Sequence, residues 1–219
     1  MAFTLALCSI AYELLLGQTL SAFLGNTVLR YSVTIGLYMM SMGIGALFAK
    51  KRILEQPLLS LQTVELLLSV LGSLSLSLLF FIHALGIEGI LFSFVAHALI
   101  VVIGVLTGLE LPLLFAVSKQ IRGSHRNIIL GIDYLGGFAG TLLFAFYLYP
   151  SLGLFASTFL VAAFNAFVGV GLIGLRTQGE SQRFSSRLCA AQVFILCACV
   201  VGYLYAENVN SFWLGLYTG

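Results

Sequence analysis

Charge is what this sequence has least of. Of 219 residues only 8 are Asp or Glu and 10 are Lys or Arg, 8% together, where a soluble domain carries about 25%. So few charges cannot coat a water-soluble globule of 23.6 kDa, and that class is excluded. Disorder is excluded as well, because disordered chains are rich in charge and poor in apolar residues. A net charge of +2 without a basic stripe cannot supply the phosphate contacts of nucleic-acid binding. Histidine, at three scattered positions, is too sparse for a zinc site.

Cysteine is scarce too, at Cys8, Cys189, Cys197 and Cys199, all inside apolar runs. Cys197 and Cys199 point roughly 200° apart on a helix. That spacing suits neither a chelate nor a disulfide, so buried free thiols are expected. The N-terminus lacks the positive region of a signal peptide. Leu7 in Leu5-Ala6-Leu7-Cys8 is too large for a lipoprotein cleavage position, so the first run is read as a retained span. There is no nucleophile elbow, no His-Glu-x-x-His and no phosphate loop. Gly43-Ile44-Gly45 lies in a hydrophobic helix and reads as packing. No catalytic residue, metal or cofactor is assigned, and the reading leans away from an enzyme.

What is abundant is apolar sequence, 60% of the chain, with a mean hydropathy of +1.09. A bilayer core needs about 20 apolar residues per helix. Seven stretches qualify, near 2–24, 31–49, 57–82, 89–118, 127–149, 152–175 and 188–206. The fourth is long enough to be tilted or broken. The expected fold is all-α, one polytopic bundle of about seven transmembrane helices forming a single membrane domain over 1–219.

Basic residues set orientation. Lys50, Lys51 and Arg52, then Lys119, Arg122 and Arg126, then Arg176, Arg183 and Arg187 occupy three alternate links, with Arg30 the exception. The N-terminus is therefore expected in the cytoplasm and the C-terminus outside, in a bacterial inner membrane. Small residues four apart mark faces where helices approach closely: Gly17-Ser21-Gly25, Gly104-Gly108, Gly136-Gly140, Gly137-Thr141-Ala145, Ala162-Ala166 and Asn165-Gly169. Spans one and five share an acid followed four residues later by glycine, Glu13-Gly17 and Asp133-Gly137. Both should run in one direction, as in a parallel repeat.

Ionisable groups at bilayer depth are costly, roughly 2.5–3.5 kcal/mol each on insertion scales. Glu13, Glu65, Glu110, Asp133 and His97 all fall within spans with hardly a basic partner, which suits a cation or protonated carboxyls. Glu65 is near a span end and is expected to snorkel; His97 reads as packing. Glu13 and Asp133 either pair with Tyr, Asn or Gln across helices or belong to a ligand site. Glu110 has the strongest functional case, because Pro112 in Gly108-Leu109-Glu110-Leu111-Pro112 removes the backbone bond to the Gly108 carbonyl. A freed carbonyl beside a carboxylate can hold a cation. Gln18 and Asn165 add polar groups, and Tyr12 and Tyr134 offer aromatic faces to a cation.

Several of these segments also carry a resemblance. They are Ala11-Tyr12-Glu13-Leu14-Leu15-Leu16-Gly17 with Leu24-Gly25-Asn26, Ser32 and Met42-Gly43-Ile44-Gly45-Ala46-Leu47; then Gly108-Leu109-Glu110-Leu111-Pro112-Leu113-Leu114; then Asp133-Tyr134-Leu135-Gly136-Gly137 and Pro150-Ser151-Leu152-Gly153-Leu154; and Phe164-Asn165-Ala166. Over roughly residues 5–175 the chain resembles the N-terminal membrane domain of membrane-bound polyamine aminopropyltransferases, the spermidine-synthase-like proteins. Members of that family continue into a soluble Rossmann-like domain that transfers an aminopropyl group from decarboxylated S-adenosylmethionine to putrescine. No segment here resembles that domain, so the activity is not carried over. Ala145 stands where many relatives have proline. Seven spans also place the C-terminus outside, whereas such a catalytic domain belongs in the cytoplasm.

Three functions remain open. The first is a transport or binding module for a small organic cation such as a polyamine, using Glu13, Tyr12, Gln18, Glu110, Asp133, Tyr134 and Asn165. The second is a non-catalytic anchor or accessory subunit for a partner such as a separate aminopropyltransferase, or a homo-oligomer. The third is a membrane-embedded enzyme acting on a lipid or polyamine, with the acids as general bases. Apart from these partners the surroundings are the lipid bilayer.

Overall fold

A computed structural model describes residues 1–87, 89–121, 123, 126–175 and 182–218. Within them the elements are helical: α1 Ala2–Leu24, α2 Thr27–Phe48, the short α3 Lys51–Leu54, α4 Pro57–Ala84, α5 Gly89–Ile121, α6 Arg126–Leu143, a π-helix Phe144–Leu152, α7 Gly153–Gly171, a 3-10 turn Leu172–Leu175, α8 Gln182–Leu204 and α9 Ala206–Thr218. Arg122 and Arg176 lie outside the described residues.

Six helical runs are long and apolar enough to cross a membrane: Ala2–Leu24, Thr27–Phe48, Pro57–Ala84, Gly89–Gln120, Arg126–Gly171 and Arg187–Leu204. The fifth contains two of the expected spans. At 46 residues it would reach about 70 Å if straight. It is not straight. The π-helix holds Pro150, and Gly153 has φ 73 and ψ −175, a conformation essentially reserved for glycine. The Ser157 hydroxyl donates to the Leu148 carbonyl at 2.8 Å across this joint. Phe3 and Leu7 of α1 lie against Gly136 and Gly140 of α6, so α1 and α6 are parallel. Gly171, at the far end of α7, returns to Met1. α6 and α7 therefore run in opposite directions on either side of Gly153.

α5, by contrast, continues as a helix through Pro112. Of the two ways the long fourth span was expected to fit, tilt or break, the break is not seen, and the irregularity at Phe144–Leu152 lies at the boundary expected between the fifth and sixth spans.

α1 is the central helix. It packs on α2, α5, α6 and α7, and its buried positions, among them Leu5, Cys8, Tyr12, Leu15, Leu16 and Leu20, cover about two thirds of its circumference, with the strip through Leu7, Ile10 and Leu14 half-buried. A helix buried over so wide an arc belongs inside a bundle. α2 covers α5 and leaves Val28, Met39 and Leu47 exposed.

The small-residue faces sort themselves by what they meet. Gly45 and Gly108 bring the backbones of α2 and α5 together, and Gly136 and Gly140 do so for α6 and α1. Ala162 and Ala166 are buried. Gly137, Thr141 and Ala145 differ from expectation: Gly137 has nothing near its Cα, and Thr141 and Ala145 are exposed. α6 already spends its Gly136-Gly140 face on α1, so its other small face is left open. Gly25, with φ 65, ends α1, and Asn26, with φ 48, caps α2 by accepting from the Leu29 amide. They form a tight turn rather than a packing surface. The expectation of buried thiols holds for Cys8 and Cys199 but not for Cys189, which is half-buried, or Cys197, which is exposed; a spacing of two turns Cys197 away from the face that Cys199 buries.

Candidate functional site

A groove that gathers acids lies between α1, α2, α5 and α6. α6 leans on α1 and barely touches α5, so the bundle stays open between them. The cavity is about 670 Å³, and Glu13, Glu110, Asp133 and Tyr134 all line it. Ser9, Thr107, Gly43, Gly108, Pro112 and Gly137 complete much of the wall.

Each acid arrives from a different helix and at a different height. The Phe3–Gly136 and Leu7–Gly140 contacts set Asp133 level with the start of α1, so at 1.5 Å per residue Glu13 stands about 20 Å farther along the bundle. Glu110, one turn from the Thr107 that meets Tyr38 and Ser9, lies between them, and Asp133 is nearest the helix ends. The basic ends of α5 and α6 meet there. Arg126 lies over the Phe115 ring at 5.9 Å, and an adjoining cavity of about 630 Å³ is lined by Leu54, Lys119 and Arg126. Pro112 and Phe115 line both cavities, so the acidic groove opens toward the basic end of the bundle.

Glu13 and Glu110 are 6% and 5% exposed; Asp133 is half-buried and Tyr134 exposed. Glu65 and Asp133 are both close enough to Glu110 to act on it electrostatically. Among the described residues none of the buried polar side chains is basic, so the acids have no counter-charge at that depth. Gly108 and Pro112 share the groove wall. Pro112 has no N–H to offer the Gly108 carbonyl, so that carbonyl lacks its helical donor.

Behind the groove a buried hydroxyl cluster locks the helices. The Tyr38 hydroxyl of α2 donates to the Ser9 carbonyl of α1 at 3.1 Å and bonds the Thr107 hydroxyl of α5 at 2.9 Å. Reading the sequence missed Ser9, Tyr38 and Thr107, since a lone hydroxyl in an apolar run carries no spacing signal. It also treated Gly43-Ile44-Gly45 as a unit. Gly45 packs on Val105 and Gly108, whereas Gly43 has open space and faces the groove.

The remaining candidates lie elsewhere. Tyr12 is 2% exposed, its ring against Gly72 and its hydroxyl donating to the Leu68 carbonyl at 3.3 Å. Gln18 joins two tyrosines, accepting from Tyr31 at 2.6 Å and donating to Tyr149 at 2.7 Å. Asn165 is buried within α7. Glu65 does not snorkel: it is 0% exposed, because α4 turns that face inward. His97 bonds back to Ser93 on its own helix.

Comparison with known proteins finds relatives named polyamine aminopropyltransferase. The chain is 37% identical over 172 residues to polyamine aminopropyltransferase 2 of Ralstonia nicotianae, covering 77% of this chain and 33% of that protein. It is 30% identical over 208 residues to the polyamine aminopropyltransferase of Leptospira interrogans, covering 94% and 40%. Polyamine aminopropyltransferase 1 of Streptomyces coelicolor is 30% identical over 213 residues, covering 95% and 39%. The chain thus spans between a third and two fifths of the length of these relatives. No family model and no solved structure matches it.

Proposed function

We propose that this chain is an integral membrane domain, of seven crossings when the arms either side of Gly153 are counted separately, whose acidic groove binds a small organic cation such as a polyamine. It corresponds on this reading to the N-terminal membrane part of polyamine aminopropyltransferases. The basic helix ends would face the cytoplasm, in a bacterial inner membrane.

The observation that carries the reading is the meeting of Glu13, Glu110 and Asp133 on one groove without a buried basic partner among the described residues. A metal is the poorer ligand, since among the described residues no three His, Cys, Asp or Glu side chains converge tightly enough to hold one. Carboxylates spread along a groove of about 670 Å³, a typical size for an organic ligand, suit a cation whose charges are themselves separated. Tyr134 at the rim adds an aromatic face. The relatives' names, all polyamine aminopropyltransferases, support the same ligand class.

Labelled spermidine tests this in proteoliposomes and in detergent. Glu110→Gln and Asp133→Asn should each weaken binding by about tenfold or more, since each removes a negative charge opposite a cation, buried at Glu110 and half-buried at Asp133. Unchanged binding and uptake in both variants would sink the proposal.

A second reading, favoured by the relatives' greater length, is a membrane anchor or accessory unit for aminopropyl transfer. Co-purification of an aminopropyltransferase, with spermidine affinity indifferent to the three acids, would favour it.

A further inference from the structure

Four buried polar side chains lie outside the groove, on three helices that pack together, α4, α7 and α8. They are Gln62 and Glu65 on α4, Asn165 on α7 and Gln192 on α8, each 4% exposed or less. Among the described residues, both Glu65 carboxylate oxygens, both amide atoms of Asn165 and of Gln192, and the Gln62 amide nitrogen have no hydrogen-bond partner.

The helix registers bring these groups to one level. Phe80 of α4 meets Phe155 of α7 at 4.9 Å between ring centroids, and the two helices are antiparallel. Carrying that register along both brings Glu65 level with the turn around Gly169. The Gln192 amide is packed directly on Gly169, and Phe159 lies on Gly202, which makes α7 and α8 antiparallel too. Gln62 and Asn165 stand about one turn away on their own helices. The Ser69 hydroxyl, donating to the Glu65 carbonyl at 2.7 Å, keeps its lone pairs at the same height.

Buried polar groups are nearly always paired with protein, water or an ion, and an unpaired carboxylate inside a bilayer costs several kcal/mol. Water would complete hydrogen bonds here but bring no charge. The surroundings bring none either. Glu65 acts electrostatically on Cys8 and Tyr12 of the neighbouring α1 and on Glu110 beyond it, and none of the buried polar side chains described is basic. One carboxylate, the amide oxygens of Asn165 and Gln192, and a hydroxyl are hard oxygen donors, suited to a hard cation. A single negative charge among neutral oxygens balances a single positive one.

We propose that Glu65, with Ser69, Asn165 and Gln192, forms a monovalent alkali-cation site for which sodium is the probe, separate from the acidic groove. It stands or falls independently of the organic ligand.

The purified full chain, in detergent or nanodiscs, is melted in sodium chloride and in choline chloride at equal ionic strength. Sodium at roughly 100 mM should raise Tm by about 4 °C or more, saturably, as ligand linkage requires. Glu65→Gln and Gln192→Ala should abolish the rise, and Glu110→Gln should keep it. Should Glu65→Gln fail to fold, Gln192→Ala and the binding of radiolabelled sodium to the unaltered chain carry the test. Equal Tm in alkali and choline salts, or a sodium rise kept in both variants, overturns the site and leaves waters to bridge these groups.

Discussion

Gly43 and Gly72 are the same residue in equivalent helical settings, yet they do opposite things. A Cβ on Gly72 would run into the Tyr12 ring, whereas one on Gly43 meets nothing. Gly72→Ala should therefore cost about 1–3 kcal/mol of stability through overpacking, seen as a lowered melting temperature in detergent. Gly43→Leu should leave that temperature nearly unchanged while filling part of the groove, and so reduce spermidine binding. A normal affinity for Gly43→Leu would place the ligand elsewhere. At this scale the acids Glu13, Glu110 and Asp133 were legible from sequence, because a carboxylate in an apolar run is conspicuous. Tyr12 was misleading. It adjoins Glu13 in sequence, but a step of about 100° round the helix turns it toward Gly72 and away from the groove.

At the scale of elements, the joint between α6 and α7 controls how the groove's outer wall is held. Gly153 adopts φ 73 and ψ −175, and any side chain there is strained by roughly 1–3 kcal/mol. Gly153→Ala should lower the melting temperature without altering the affinity of the pre-formed groove. A large change in affinity with normal stability would show that the joint moves during binding. The hydropathy pattern located the two arms but not the π-helix between them. The form of that π-helix depends on the Ser157–Leu148 bond and on packing against α7. Pro112 makes no such irregularity, since α5 absorbs it without a break, held on one side by α2 and on another by α4.

For the whole molecule, the directions of the helices make the proposed orientation testable. Reporter fusions after Leu54 and after Gln120 should read as cytoplasmic, and fusions after Leu85 and after Leu204 as external. The reverse pattern would invert the topology, and with it the side from which the groove is entered past Lys119 and Arg126. The parallel direction of α1 and α6, required if the two acid-glycine motifs are related, is met by the Phe3–Gly136 and Leu7–Gly140 contacts.

Long apolar helices were legible from sequence alone, because 60% apolar residues and 8% charge are gathered in continuous runs of about 20 residues, which suit helices rather than the alternating strands of a barrel. The sequence also supplied the residues of the site and the imbalance of sign. Which acids meet is a matter of tertiary packing. Helix rotation and register bring Glu13, Glu110 and Asp133 to one groove, and send Glu65 to the far side of α1 among unpartnered amides. A rotation of one residue about a helix axis moves a side chain to a different neighbour, and only close contact between backbones at glycines such as Gly45, Gly108, Gly136 and Gly140 sets that rotation.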